Sequence, residues 1–473
     1  MGRSVYPTGT VRFDPSKTWS GYTLFNGKGE GTLLIDMNGK VVHEWKNFQG
    51  FPNKMIRGGK VFGSLNARDR YAAYQDKSDV TEVDWNGNQL WSFSHNQEVN
   101  DEDTGKTWVA RQHHDYQIEG NPVGYYVPGQ ETTDNFQKVL ILTHNNVKKP
   151  RISPQELLED VLIEVDRSGK IIWSWHLLDH FREFHLSNIE LNAIYRNPNT
   201  HDTGENGEGD IFHCNCASYL GPNKWYDQGD KRFAPNNIIM DSREANIMWI
   251  VDHETGKVVW QIGPDYTATP ELRMLGPLVG MHHSQMIPKG LPGEGDIMVF
   301  NNGGWAGYGI PNQESNTGMR TSRIDTSKVI EFDPITLEVK WTFSANDLGE
   351  NPVWHQHRFY SPLVSDAQRL PNGNTFIDEG TEGRFLEVTP DNEVVWEYVY
   401  PHTDDYLVYR AYRVPYAWVP QLQKPKEVPV VPPKNSEFQI EGAADPNPND
   451  DVTVGVKGAR GYGKGMDACV EKL

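Results

Sequence analysis

The chain has 473 residues, above the size at which one layered core stops growing, so it must be two domains or a radially repeated structure. With 45 Lys+Arg against 64 Asp+Glu its formal charge is −19, which argues against nucleic acid or an anionic membrane as the main partner. Three cysteines supply no disulfide framework, and no apolar run is long enough for a membrane span. The opening residues also lack the apolar core of a signal peptide, which fits a cytoplasmic protein. An exported chain whose leader has been removed would read the same.

In chain order, one unit recurs: two apolar runs joined by a short polar turn. It appears at Leu33 to Trp45, Thr81 to Phe93 and Leu162 to Trp175, around the turn of Asp252 to Gly263, and at Val329 to Phe343 and Phe385 to Tyr398. Aligned copies place His43, Trp91, Trp173, Trp260, Trp341 and Trp396 at one position, where they are expected to pack between units. A lone hairpin is marginal and buries its face only against a neighbour. Six copies therefore predict an all-β, six-bladed β-propeller over residues 1–420, with inserted loops and a short helical insertion.

Residues 96–111 are polar and read as a surface loop. The helical signals are S-P-Q-E-L-L-E-D after Ile152, with Ser153 and Pro154 as cap and first-turn pair, and H-L-L-D-H-F-R-E-F from His176. Residues 421–473 are rich in Pro, Gly, Asn and Asp, which predicts a surface strap or a partly disordered tail.

The chemistry is expected on the first strand of each blade, which lines the central channel. Four such segments carry histidine: Q-H-H-D-Y (Gln112 to Tyr116), F-H-C-N-C (Phe212 to Cys216), M-H-H-S-Q (Met281 to Gln285) and W-H-Q-H-R (Trp354 to Arg358). Strand alternation allows one histidine of each adjacent pair to face the channel, and the pattern that follows selects His114 and His283. It also puts His213 and Asn215 on one face, with Arg243 reaching them from the next strand. Lone histidines such as His95, His144 and His253 read as exposed or satisfied turn residues.

Several segments together resemble the bacterial arylsulfotransferase family: P-T-G-T, G-Y-T-L-F, L-L-I-D-M-N-G-K-V-V-H-E-W, F-H-C-N, S-R, H-H-S-Q leading to D-I-M-V-F-N-N-G-G, and A-Q-R-L-P-N-G-N-T. The resemblance covers roughly residues 6–425. It implies a six-bladed propeller that moves a sulfuryl group from an aryl sulfate to a phenol through a sulfohistidine. Carried over, His283 is the nucleophile, His213, Asn215 and Arg243 hold the sulfate oxygens, and His114 is a further channel histidine. His357 joins them as a substrate-binding candidate. This reading needs no cofactor, and its partner is a small aromatic substrate; composition leaves homo-oligomerisation open.

A second reading, from another enzyme class, is a transition metal held by His114, His213, His283 and His357, with Asp115 behind them. Oxidation, lyase or hydrolytic chemistry would then follow. A third is a non-catalytic binding propeller, disfavoured by so many converging titratable groups.

Overall fold

The computed structural model describes residues 8–27, 31–65, 77–101, 105–198, 209–348, 356–401 and 407–432. Six four-stranded antiparallel arrays form the blades of a propeller. Blade 2 is Gln49–Ile56, Lys60–Ser64, Val80–Val83 and Gln89–Phe93; blade 3 is Gln112–Ile118, Lys138–Lys148, Glu156–Asp166 and Ile171–His176. Blade 4 is Cys214–Tyr219, Ile238–Ser242, Ile247–Val251 and Val258–Ile262; blade 5 is His282–Met286, Ile297–Asn301, Lys328–Phe332 and Val339–Ser344.

The ring closes through both ends of the chain. In blade 1 the strands Tyr22–Gly27, Gly31–Ile35 and Val41–Trp45 receive their innermost partner from Ala411–Val414. Blade 6 (Asp366–Arg369, Thr375–Glu379, Arg384–Val388, Val394–Val399) gains a fifth, outermost strand from Gly9–Phe13.

All six expected hairpins form the third and fourth strands of their blades, counted from the channel, in one register. The aligned residues face Leu34, Glu82, Glu164, Ile250, Glu331 and Glu387, and a bulge follows each. Five turns begin with an aspartate whose side chain accepts backbone N–H groups two to four residues on: Asp36, Asp84, Asp166, Asp252 and Asp333. Such side chains mimic the turn's own backbone pairing. At the sixth turn Thr389 accepts from the Glu393 amide.

The aromatic residues of these outer strands latch successive blades, as expected. Indole N–H groups donate to carbonyls in the next blade's turn: Trp45 to Asp84, Trp91 to Arg167, Trp175 to Gly256, Trp260 to Pro334 and Trp396 to Met37. His43 adds a ring-nitrogen contact of 2.9 Å to the Trp85 carbonyl. Each bond satisfies a turn carbonyl and an otherwise buried indole donor.

Three expectations fail. Residues 96–111 hold an antiparallel hairpin, Asn96–Asp101 with Gly105–Ala110. The segment Q-E-L-L-E-D is not helical: it enters the strand Glu156–Asp166, paired along its whole length with Lys138–Lys148. Its apolar residues are buried by that pairing, which overrides local helix preference. The stretch after His176 forms two 3₁₀ turns, Leu177–Asp179 and Phe181–Phe184. The helix comes next, at Asn188–Arg196, started by a capping box of Ser187 and Glu190.

The compact unit runs to Val431 and a second begins at Pro432; 433–473 lie outside the described residues. From 421 the chain crosses the outside of blades 2, 1 and 6: Gln421 donates to the Gly58 carbonyl, Asn38 exchanges two hydrogen bonds with Val428, and Val430 pairs with Phe13. No helix among the described residues is long and apolar enough to cross a membrane.

Candidate active site

The innermost strands of blades 3, 4 and 5 begin with the same distortion. His114, His213 and His283 have φ of 49°, 50° and 53°, and each inner strand carries a register shift near its head. Left-handed backbone at a non-glycine residue costs on the order of 1–3 kcal/mol and is kept where surrounding structure over-determines it. Three equivalent histidines in this state are therefore a feature built into the ring.

The bulges also defeat simple alternation. His113 and His114 are both buried and share a hydrogen bond, Nδ1 to Nδ1, of 2.8 Å. His114 then packs edge-on against His213, ring centres 4.7 Å apart, with Tyr409 on another side at 5.8 Å. His213 does not share a face with Asn215. The Asn215 amide donates to the Met281 carbonyl and accepts from the His283 N–H, stitching blade 4 to blade 5.

Asp210, three residues before His213, fixes that ring: its carboxylate takes the backbone N–H at 2.9 Å and Nδ1 at 2.5 Å. Against burial, the His213 ring holds Asp210 below the usual carboxylate range. The sequence contained this pair in D-I-F-H, but the aspartate attracts notice only once the chain is seen to turn back at His213. His213 keeps 13% of its side chain exposed.

Arg243 follows the second strand of blade 4, its N–H on the His213 carbonyl at 3.2 Å. Its guanidinium pairs with Glu244, which also takes Arg320 at 3.0 and 3.2 Å. Against burial, Arg243 and Arg320 hold Glu244 ionised. Two guanidinium groups on Glu244 and the carboxylate of Asp210 thus surround His213, and guanidinium N–H groups are suited to meet the oxygens of an anion.

His282 is fixed between blades, Nδ1 against Asn302 Oδ1 at 2.8 Å and Nε2 accepting from the Val364 N–H at 3.2 Å. His283 lies deeper. Its Nδ1 is 3.2 Å from Gln285 Nε2 and 3.7 Å from Asp366 Oδ2, and its Nε2 is buried without a hydrogen-bond partner in the protein. Burial, reinforced by Arg410 and Lys54, holds His283 well below the ordinary imidazole value. Burial also lowers His114, helped by His213. Both rings are thus neutral. Burial pushes the Asp366 carboxyl up to about 8, against the pull of Arg410.

Beneath the histidines runs a buried charge chain. Lys54 Nζ meets Asp115 Oδ1 at 2.7 Å, and Asp115 Oδ2 meets Arg410 at 3.0 Å. Arg410 and the Tyr409 hydroxyl both donate to the Asn215 carbonyl, at 2.6 and 2.9 Å. Against burial, Arg410 and Lys54 hold Asp115 below its usual range. Lys54 and Arg410 were not foreseen, because nothing local marks a residue that meets its partner across the channel.

His114 and His213 come together. His357 does not join them: it is exposed on the 3₁₀ turn Gln356–Arg358, while Trp354 and His355 of the same motif lie outside the described residues. The four-histidine metal set therefore does not assemble, and Asp115 is committed to cations of the protein. Among the described residues, metal-type ligands converge instead at His113, His144 and Asp160. His144, read from sequence as a turn residue, is buried on the second strand of blade 3.

Among solved structures the chain is similar to a protein of unknown function from Bacteroides caccae (11% identity, 84% of this chain and 99% of that chain, TM-score 0.43). It is also similar to virginiamycin B lyase from Staphylococcus aureus (10% identity, 86% and 88%, TM-score 0.34). A search of curated proteins finds no match. The model of the family described as Arylsulfotransferase (ASST) matches residues 130–410, more than half of the chain and all of blades 4 and 5 with their histidines, and the protein belongs to that family.

Proposed function

We propose that the protein transfers a sulfuryl group from an aryl sulfate to a phenol through His283. The observation that carries this reading is the triplet of left-handed histidines on three successive inner strands, two of them buried, beside the guanidinium groups of Arg243 and Arg320. Neutral imidazole is the form that can attack sulfur.

In the first half-reaction the Nε2 lone pair of His283 attacks sulfur and the bond from sulfur to the aryl oxygen breaks. Charge on the sulfuryl oxygens is met by Arg243 and His114, and Asn215 holds the His283 backbone rather than the substrate. His213, with Asp210 on Nδ1, protonates the departing phenolate. In the second half the acceptor phenol returns that proton to His213 and its oxygen takes the sulfuryl group, freeing His283. Because His283 Nε2 is buried, the channel lining must shift as the donor enters.

Incubation with 4-nitrophenyl sulfate and phenol should release nitrophenol, and His283→Ala should reduce release at least ~10³-fold, as removal of a nucleophile does. Quenched protein should carry one SO₃ on the peptide containing His283. A label on the His213 peptide would instead make His213 the acceptor, a second reading favoured by its oriented ring. His213→Gln, which still donates a hydrogen bond, should retain measurable turnover with weakened substrate binding. Absence of nitrophenol release from the folded wild-type protein overturns the proposal.

A further inference from the structure

One buried cluster takes no part in that reaction. His113, His144 and Asp160 come from three adjacent strands of blade 3, with His144 and Asp160 directly opposed across the sheet. Their ligand-type atoms lie within 4.8 Å of one another. All three residues are at most 3% exposed, and His113 Nε2 makes no well-formed hydrogen bond, with the Thr143 backbone beside its ring. The two Nε2 atoms stand 3.4 Å (His113) and 3.9 Å (His144) from Asp160 Oδ1.

We propose that His113, His144 and Asp160 bind one divalent first-row transition ion, Zn²⁺ being the first to test. Charge-assisted hydrogen bonds run shorter than these contacts, at about 2.7–2.9 Å. Ligand atoms around a tetrahedral ion with bonds of about 2.1 Å lie about 3.4 Å apart, which is the His113–Asp160 separation. Two imidazoles and a carboxylate are a donor set such ions accept. The carboxylate is already oriented by the Cys214 N–H from blade 4, at 3.3 and 3.4 Å to its two oxygens.

Nearby charges are Asp210, Glu159 and Arg111, the last donating to Asn146. The His113 and His144 rings are stacked, centres 3.4 Å apart. An ion lies in the plane of each ring that binds it, so loading splays this pair. A narrow cavity of about 10 Å³ beside His113 gives that ring some room.

The ion would also act on the reactive site, a consequence that rests on the proposed sulfotransfer. A metal on His113 Nε2 leaves the ring proton on Nδ1, where it is donated to His114 Nδ1. His114 then carries its own proton on Nε2, the tautomer that donates to a sulfuryl oxygen.

The test uses the full-length protein, stripped with chelator, exposed to Zn²⁺ alone and desalted. Elemental analysis should find one ion per chain, and added Zn²⁺ should raise the melting temperature reversibly. His113→Gln and His144→Gln should each retain less than a tenth of that metal, whereas His283→Ala should retain it all. Zinc-edge X-ray absorption of wild-type protein, which needs no variant to fold, should show two imidazoles at about 2.0–2.1 Å. No retained zinc, retention by the two Gln variants as full as that of the wild type, or a spectrum without imidazole overturns the site. Metal content is read apart from turnover, so sulfotransfer can fail while the site stands, and the reverse.

Discussion

The outer hairpins and the innermost strands of this propeller obey different rules. On the outside, six copies repeat one register, a capped turn and, at most blade boundaries, an aromatic latch, and the polar groups of these features find partners within a few residues or on the next blade. On the inside the strands differ from blade to blade, three of them open with a left-handed histidine, and full charges are buried. Repetition makes the ring and variation within it makes the chemistry, so damage to the two regions should look different.

The largest effect should come from inside. Asp115→Asn leaves Lys54 and Arg410 buried facing a neutral amide, and breaking a buried ionic set costs about 3–5 kcal/mol. Urea unfolding should report a loss of that size; an unchanged midpoint would mean the chain of charges adds no stability.

Asp366→Asn should act in the opposite direction. Its carboxyl sits at about 8 in the folded protein against about 3.9 unfolded, so the folded state binds more protons between those values. Stability carried by this group therefore falls as pH rises from about 4 to about 8 and levels off above. The Asn variant should flatten that slope and melt higher than wild type at pH 8. A steeper decline with pH in the variant would contradict the assignment.

On the outside, Trp396→Phe removes one indole donor and leaves the Met37 carbonyl with the Thr10 hydroxyl, an expected loss of about 0.5–1.5 kcal/mol in urea. The smallest effect belongs to Lys17, whose ion pair with Glu393 is half exposed on both sides. Lys17→Ala should leave the melting temperature within error, and a clear drop would show that the rim carries more electrostatic weight than its exposure implies.

The same contrast explains what could be read from the sequence. The hairpins were legible because their period, turns and aromatic position are local and six times repeated. His114, His213 and His283 were legible as candidates, since each heads its segment. Their arrangement was not, because a positive φ resets which face a residue addresses, and alternation then misplaces Asn215 and separates His113 from His114 wrongly. Asp160 and His144 lie on second and third strands, where nothing suggested a polar cluster. Gln155 to Asp160 was misread because its apolar spacing suits a helix until an eleven-residue partner strand claims it.

Ring closure by Ala411–Val414 has a consequence for synthesis. Until that segment leaves the ribosome, the Tyr22–Gly27 strand of blade 1 presents an unpaired edge, the kind of surface that recruits stray strands. The closing segment follows directly on Tyr409 and Arg410, which clamp the Asn215 carbonyl and neutralise Asp115. The final stitch of the ring and the last charge of its interior thus arrive together, so a nascent chain gains its closed shape and its chemistry in a single late step.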